Sequence, residues 1–195
     1  AAPHKTPANN ISELIDYAKK NPGALTFASA GNGNTSHLAA ELFKAATDTD
    51  MIHVPYKGSG PAVVALLGGE VSLMFDSIST SMPHVKSGKL KSLAVTGKNR
   101  SNVLPDVPTV SESGLPDFTV DGWYGIIAPA KTPDAIVEKL NKAFVDAAND
   151  PEIKKQLNSY GYEITGSTPD EFKQHISSEI QKWKIAVEKS GAKVQ

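Results

Sequence analysis

The segment best suited to chemistry is Ser29-Ala30-Gly31-Asn32-Gly33-Asn34-Thr35-Ser36-His37. It follows an apolar run that reads as a strand and opens a run with helical spacing. Gly31 and Gly33 permit tight turns and close approach of a ligand to the backbone. Asn34, Thr35 and Ser36 fall in the first helical turn, where free N–H groups and the helix dipole favour an anion. The pattern suits a carboxylate or a phosphate held by neutral donors. The same residues would also serve as a helix cap with glycine turns and no ligand. One helix end contributes only about 0.3–2 kcal/mol, so binding needs several donors together.

Two further loops have the same placement. Val54-Pro55-Tyr56-Lys57-Gly58-Ser59-Gly60-Pro61 and Phe75-Asp76-Ser77-Ile78 each follow a strand pattern and precede a helical one. Tyr56 suits stacking or hydrogen-bond donation, or a place as a rim aromatic. Lys57 suits a solvated position. Asp76 suits a cap on the following helix, or a ligand contact accepting from a hydroxyl or amine. In open parallel sheets ligands sit at the carboxyl ends of the strands, and all three loops are expected there.

Several chemistries fail on spacing. A dinucleotide fingerprint needs a third glycine where Ser36 stands, and Gly97-Lys98 lacks both the upstream glycine and the following hydroxyl residue of a phosphate loop. His4, His37, His53, His84 and His175 show no metal-ligand spacing. No nucleophile elbow occurs. Ser36 and His37, adjacent on one helix, project about 100° apart, which is poor geometry for a triad with Asp76. We therefore expect no enzyme, no metal and no cofactor. His37 suits a helix-face residue beside the loop as well as a direct contact.

The elements that must position these loops alternate. Strands are expected over Leu25–Ala30, Met51–Tyr56, Val71–Asp76 and Leu90–Thr96. Helices are expected from Asn10 (cap, with Glu13 three residues on) to Asn21, over Asn34–Ala46, over Pro61–Leu67 with proline first, and over Ser79–Lys86. Near-continuous apolar strands joined by connections of this length call for βαβ units and a parallel sheet. After Gly97 the texture changes: Pro105, Pro108 and Pro116 punctuate a crossing with a short helix near Thr109–Ser113. A long strand follows over Phe118–Ala128, then helices opened by Thr132-Pro133, Asp150-Pro151 and Thr168-Pro169, with a short strand at Tyr162–Ile164. Trp123 and Tyr124 are expected on opposite strand faces, one in the core and one at an interdomain contact or cleft wall, and Trp183 in the core. Residues 10–97 thus read as a complete α/β lobe carrying the glycine-rich loop. Residues 98–195 read as an interlobe crossing and part of another lobe, short of strands for its helices.

Composition narrows the partners. Lysine plus arginine is 20 against 21 acidic residues, a net charge of −1. This balance argues against nucleic acid or a polybasic membrane contact. The absence of cysteine excludes disulfides and thiolate chemistry. No apolar run nears the ~20 residues of a membrane span. Ala1–Lys5 has no signal core, as expected of a mature chain, a fragment or a cytoplasmic protein.

The runs FASAGNGNTSHLAAELF, HVPYKGSGPAVVALLGGEVSLMFDSIST, HVKSGKLKSLAVT, LPDVPTVSESGLPDF and GWYGIIAPAKTP resemble, in order, one family. It is the periplasmic solute-binding component of tripartite tricarboxylate transporters, the Bug-type receptors. The resemblance runs from about Asn10 to the C-terminus. It implies a type II periplasmic binding protein fold, with two lobes closing over a ligand. It also implies a non-enzymatic periplasmic receptor that carries a small organic acid to membrane transporter subunits. The carboxylate loop of the family falls on Ser29, Gly31, Asn32, Gly33, Asn34 and Thr35, with His37 in the same motif. Its tyrosine falls on Tyr56 and its phenylalanine–aspartate pair on Phe75 and Asp76. Asn34 stands where relatives usually carry serine or threonine. Relatives also carry a further segment before the helix starting at Ile11, so the chain is expected to hold one lobe plus the C-terminal part of the other. Uncovered apolar faces then favour a dimer or strand exchange. The competing reading is the effector-binding domain of a transcriptional regulator, which shares the two-lobed fold.

Overall fold

The computed structural model describes residues 1–190. The chain forms two compact units, the first built mainly from Ala1–Gly122 and the second from Trp123–Ile185.

In the first unit, α1 spans Ile11–Lys20. It begins where its cap predicts: the Asn10 side chain accepts from the Glu13 N–H at 2.8 Å, and the Glu13 carboxylate accepts from the Asn9 N–H at 2.7 Å. Ile11, Leu14 and Ala18 form its buried face. The sheet follows, with β1 at Thr26–Ser29, β2 at Ile52–Pro55 and β3 at Leu73–Met74. The strands are parallel in the order β2-β1-β3. Phe27 pairs with His53 on one side and Leu73 on the other. Two helices supply the crossovers that parallel neighbours require: α2 at Thr35–Thr47 leads from β1 to β2, and α3 at Ser59–Leu67 leads from β2 to β3. α4 spans Ile78–Lys86.

Position in the sheet explains burial. Central β1 has Phe27, Ala28 and Ser29 fully buried, whereas edge strand β2 leaves Ile52 half exposed. One apolar cluster joins Ala28 to Ala62, Ala65, Leu66, Val71 and Leu90. Phe43 of α2 is also fully buried and meets the rings of Phe75 and Phe118 at 5.6 and 6.0 Å. All three β–α junctions therefore stand on packed side chains.

The structure departs from the sequence expectations where a strand lacks an available partner. Leu90–Thr96 is not a fourth strand; Val95 makes only an isolated parallel bridge to Thr109. The N-terminal residues take groups such a strand would use: Ala2 N–H donates to the Ser72 carbonyl and Lys91 N–H to the Ala1 carbonyl, both at 2.9 Å. Phe118–Ala128 is not a strand either. Val120 N–H donates to the Thr96 carbonyl at 2.8 Å, but Ile126 and Ile127 are exposed and no ladder lies beside them among the described residues. Tyr162–Ile164 likewise forms no strand. The short helix expected near Thr109 is a turn, closed by reciprocal bonds between Thr109 and Glu112. Pro61 lies in the first turn of α3 but two residues later than expected, because the helix starts at Ser59.

The second unit contains α5 at Asp134–Asn149 and α6 at Pro151–Ser159, while α7 spans Pro169–Ser190. Its caps match the sequence. Asp150 accepts from the N–H groups of Glu152 and Ile153, and Thr168 and Glu171 form a reciprocal capping box. No residue from Trp123 to Lys184 is buried. Trp123 and Tyr124 are both exposed, and Trp183, expected in the core, is half-buried with its indole N–H donating to Glu179 at 3.0 Å.

Candidate functional site

The loops after β1, β2 and β3 meet at the carboxyl edge of the sheet, and backbone bonds join them. Tyr56 N–H donates to the Ser29 carbonyl at 3.0 Å, and Gly58 N–H donates to the Ala30 carbonyl at 3.2 Å. The third loop is tied in through Asp76, whose carboxylate accepts from the Ser59 and Ser81 hydroxyls. All ten residues expected at the site thus lie on one edge. Asp76 links the start of α3 to α4 through side-chain bonds; the N-cap of α4 is Ser77, so Asp76 does not cap that helix.

Within the glycine-rich loop most donors are already engaged. Asn34 is the N-cap of α2, and its side-chain oxygen accepts from the Ser36 N–H at 3.1 Å and the Ser36 hydroxyl at 3.0 Å. The Ser36 oxygen accepts from the Ala30 N–H at 2.9 Å, and the Ser29 hydroxyl oxygen from the Gly31 N–H at 3.2 Å. Gly33 N–H donates to His37 Nδ1 at 3.1 Å, and Asn34 N–H donates to the Gly31 carbonyl at 3.2 Å. Among the described residues, the amides of Asn32 and Thr35 are left without an acceptor inside the loop. Both residues and Asn34 are exposed, whereas Ser29 and His37 are buried. Gly31 has φ +133°, and a Cβ there would meet the Tyr56 carbonyl at 3.5 Å. Glycine is therefore required by the backbone angle rather than by crowding.

Two imidazoles lie under this loop. His37 of α2 stacks on His53 of β2 with ring centroids 3.9 Å apart, and His53 stacks in turn on Phe27 at 4.8 Å. His53 Nε2 lies 2.6 Å from the Ser29 hydroxyl. Burial pushes the His53 imidazole down to about 4, helped by neighbouring His37 and Lys44. Burial likewise lowers His37, against an opposing pull from Glu41. Both rings are neutral at pH 7. His53 escaped the sequence reading because its partner lies on another element, and only the Phe27–His53 register brings the two rings together. Tyr56 packs against the apolar cluster, and burial, with Glu70 nearby, raises its phenol. Phe75 holds the third loop through its contact with Phe43. The described residues contain no group of side chains that could hold a metal ion.

A loop of neutral donors at a strand end, backed by a helix N-terminus, is chemistry for an acid group. The model of the tripartite tricarboxylate transporter family receptor matches residues 1–192. The chain belongs to this family. A relative from Pseudomonas sp. (strain P51), the UPF0065 protein in the tcbD-tcbE intergenic region, is 39% identical over 92% of this chain and 54% of its own length. Rpa4515 of R. palustris, solved with adipate, superposes with a TM-score of 0.91 at 33% identity, over 95% of this chain and 62% of that one. The periplasmic binding protein BugD gives 0.89 at 36% identity, over 97% and 64%. MatC of Rhodopseudomonas palustris, with bound malate, gives 0.86 at 34%, over 95% and 64%. The chain thus spans between half and two thirds of the length of these relatives. The fold is the α/β fold of these binding proteins, and the family is one of solute-binding receptors. No helix among the described residues is long and apolar enough to cross a membrane.

Proposed function

We propose that the protein carrying this chain is a periplasmic receptor that captures a small organic acid and delivers it to the membrane subunits of a tripartite tricarboxylate-type transporter, without acting on it chemically. The observation that carries this reading is the strand-end loop with exposed neutral donors at Asn32, Asn34 and Thr35, in a chain whose family includes proteins solved with adipate and malate. The family match along residues 1–192 favours the receptor over a regulator's effector domain.

In this reading Gly31, Asn32, Gly33, Asn34 and Thr35 form the anion-binding bend, and Ser29 and His37 hold it from beneath. Tyr56, Phe75 and Asp76 shape the neighbouring wall and meet the distal part of the ligand. Residues 10–97 make up the lobe that carries the loop, and residues 98–195 the crossing and the C-terminal part of the other lobe. Titration calorimetry of the full-length protein with mono- and dicarboxylates tests this. Thr35→Ala removes one hydroxyl donor to a charged group and is expected to weaken binding about tenfold. Failure of every carboxylate to bind would refute the receptor reading.

The isolated 195-residue chain is expected to associate with a second copy, by dimerisation or strand exchange. Ile126, Ile127, Ile136 and Phe144 are exposed, and apolar side chains of this size favour a covering partner. Sedimentation of this chain as a stable monomer would contradict that expectation.

A further inference from the structure

We propose that His53 is a positioning residue of the ligand loop. Through Ser29 and His37 it keeps the Gly31 and Gly33 amides turned into the loop, and so leaves those of Asn32 and Thr35 for an incoming acid. The part of this inference that concerns the acid rests on the receptor reading; the part that concerns the loop does not.

The geometry makes His53 the common support of two separate loop bonds. Its Nε2 is 2.6 Å from the Ser29 hydroxyl, whose oxygen accepts from the Gly31 N–H at 3.2 Å. Its ring face lies 3.9 Å from that of His37 with only 7° between the planes, and His37 Nδ1 accepts from the Gly33 N–H at 3.1 Å. Phe27 of β1 lies beside both rings, with centroids 4.8 Å from His53 and 6.3 Å from His37. Neither histidine reaches an exposed loop donor directly, so each acts on the ligand through the backbone.

The arrangement needs neutral rings. His37 Nδ1 accepts a hydrogen bond only while it lacks a proton, so its single hydrogen sits on Nε2. Protonation at Nδ1 would turn it into a second donor facing the Gly33 N–H and break the bond. Two imidazolium rings in face-to-face contact would also repel. The charged groups facing the pair are Glu41, 3.9 Å from His37 Nε2, and Lys44, which bonds Glu41 at 3.1 Å; both lie on α2. From β1 the pair meets the uncharged Phe27 and Ser29. Glu41 favours protonation of His37, but Lys44 partly neutralises it and burial outweighs it.

The test is a pH titration of the ligand-free, full-length protein by NMR, following the Gly31 and Gly33 amides and the imidazole nitrogens. At pH 7, His37 should be the neutral tautomer carrying hydrogen on Nε2. The Gly33 amide should move with the same midpoint as the His37 ring, below the ordinary histidine value of about 6.5. His53→Phe, which keeps a ring in the stack but cannot bond Ser29, should displace the Gly31 amide. His53→Gln should restore that resonance while the Gly33 amide, deprived of the stack, moves. Affinity for adipate and for malate, used as probes, should fall about tenfold in His53→Phe. The inference is overturned if the Gly33 amide ignores His37 titration, or if His53→Phe leaves the Gly31 amide in place. If the amides behave as stated and neither probe nor any other carboxylate binds, the receptor reading fails and the positioning role of His53 stands.

Discussion

Asp76 shows how one side chain can hold two loops and two helices together. Its carboxylate accepts from Ser59 at the start of α3 and Ser81 within α4, so it fixes the loop after β3 relative to the loop after β2. Removing it leaves two hydroxyls without their charged acceptor. Bonds to charged groups contribute roughly 1.5–3 kcal/mol each in net terms. Both bonds are only partly buried, so Asp76→Ala should lower the unfolding free energy by about 3 kcal/mol, the low end for two such bonds, with Asp76→Asn losing less; urea denaturation at constant slope measures this. The sequence places Asp76 at a strand end and offers capping as one of its roles, but the two serines lie 17 and 5 residues away on different elements. The glycine-rich loop was legible for a related reason: its glycines, its cap and its helix are contiguous. His53 was not, because its significance arises only from the register of β1 against β2.

At the scale of elements, local signals located helices far better than strands. The caps at Asn10, Asp150 and Thr168 each act within three residues of themselves, so the chain carries the whole signal. Asn10→Ala should remove the bond to the Glu13 N–H and cost about 1 kcal/mol. The thermal or urea midpoint of the protein reads this loss, and Asn10→Asp should largely restore it. Strands differ because half of each ladder belongs to another segment. Leu25–Ala30 and Met51–Tyr56 were legible since each has a parallel neighbour, and β1 is covered on both flanks. Leu90–Thr96 and Phe118–Ala128 carry equally apolar patterns but find no ladder among the described residues. An apolar pattern states that a segment can be buried; it does not supply the partner.

Taken as a whole, the chain is unevenly consolidated. Every buried apolar side chain among the described residues belongs to the stretch from Ala2 to Val120. His37, which is buried, and His53, which is half-buried, make the stability of that stretch sensitive to acid. A histidine with a folded-state pKa below its unfolded value binds its proton more readily when unfolded. Stability is then unaffected above about pH 6.5 and declines as pH falls toward the value of about 4 that burial imposes on His53. The unfolding midpoint should drop across that window, and His53→Phe should flatten the drop; denaturation curves at pH 7, 5.5 and 4.5 check both. The internal hydrogen bonds of the glycine-rich bend have one more consequence. With its remaining backbone N–H groups committed to its own oxygens and to an imidazole, the bend retains a pair, at Asn32 and Thr35. A pair of hydrogens matches the two oxygens of a single acid headgroup. A receptor built on such a bend would hold every guest by the same end, and would have to tell a long diacid from a short one by the fit of the tail alone.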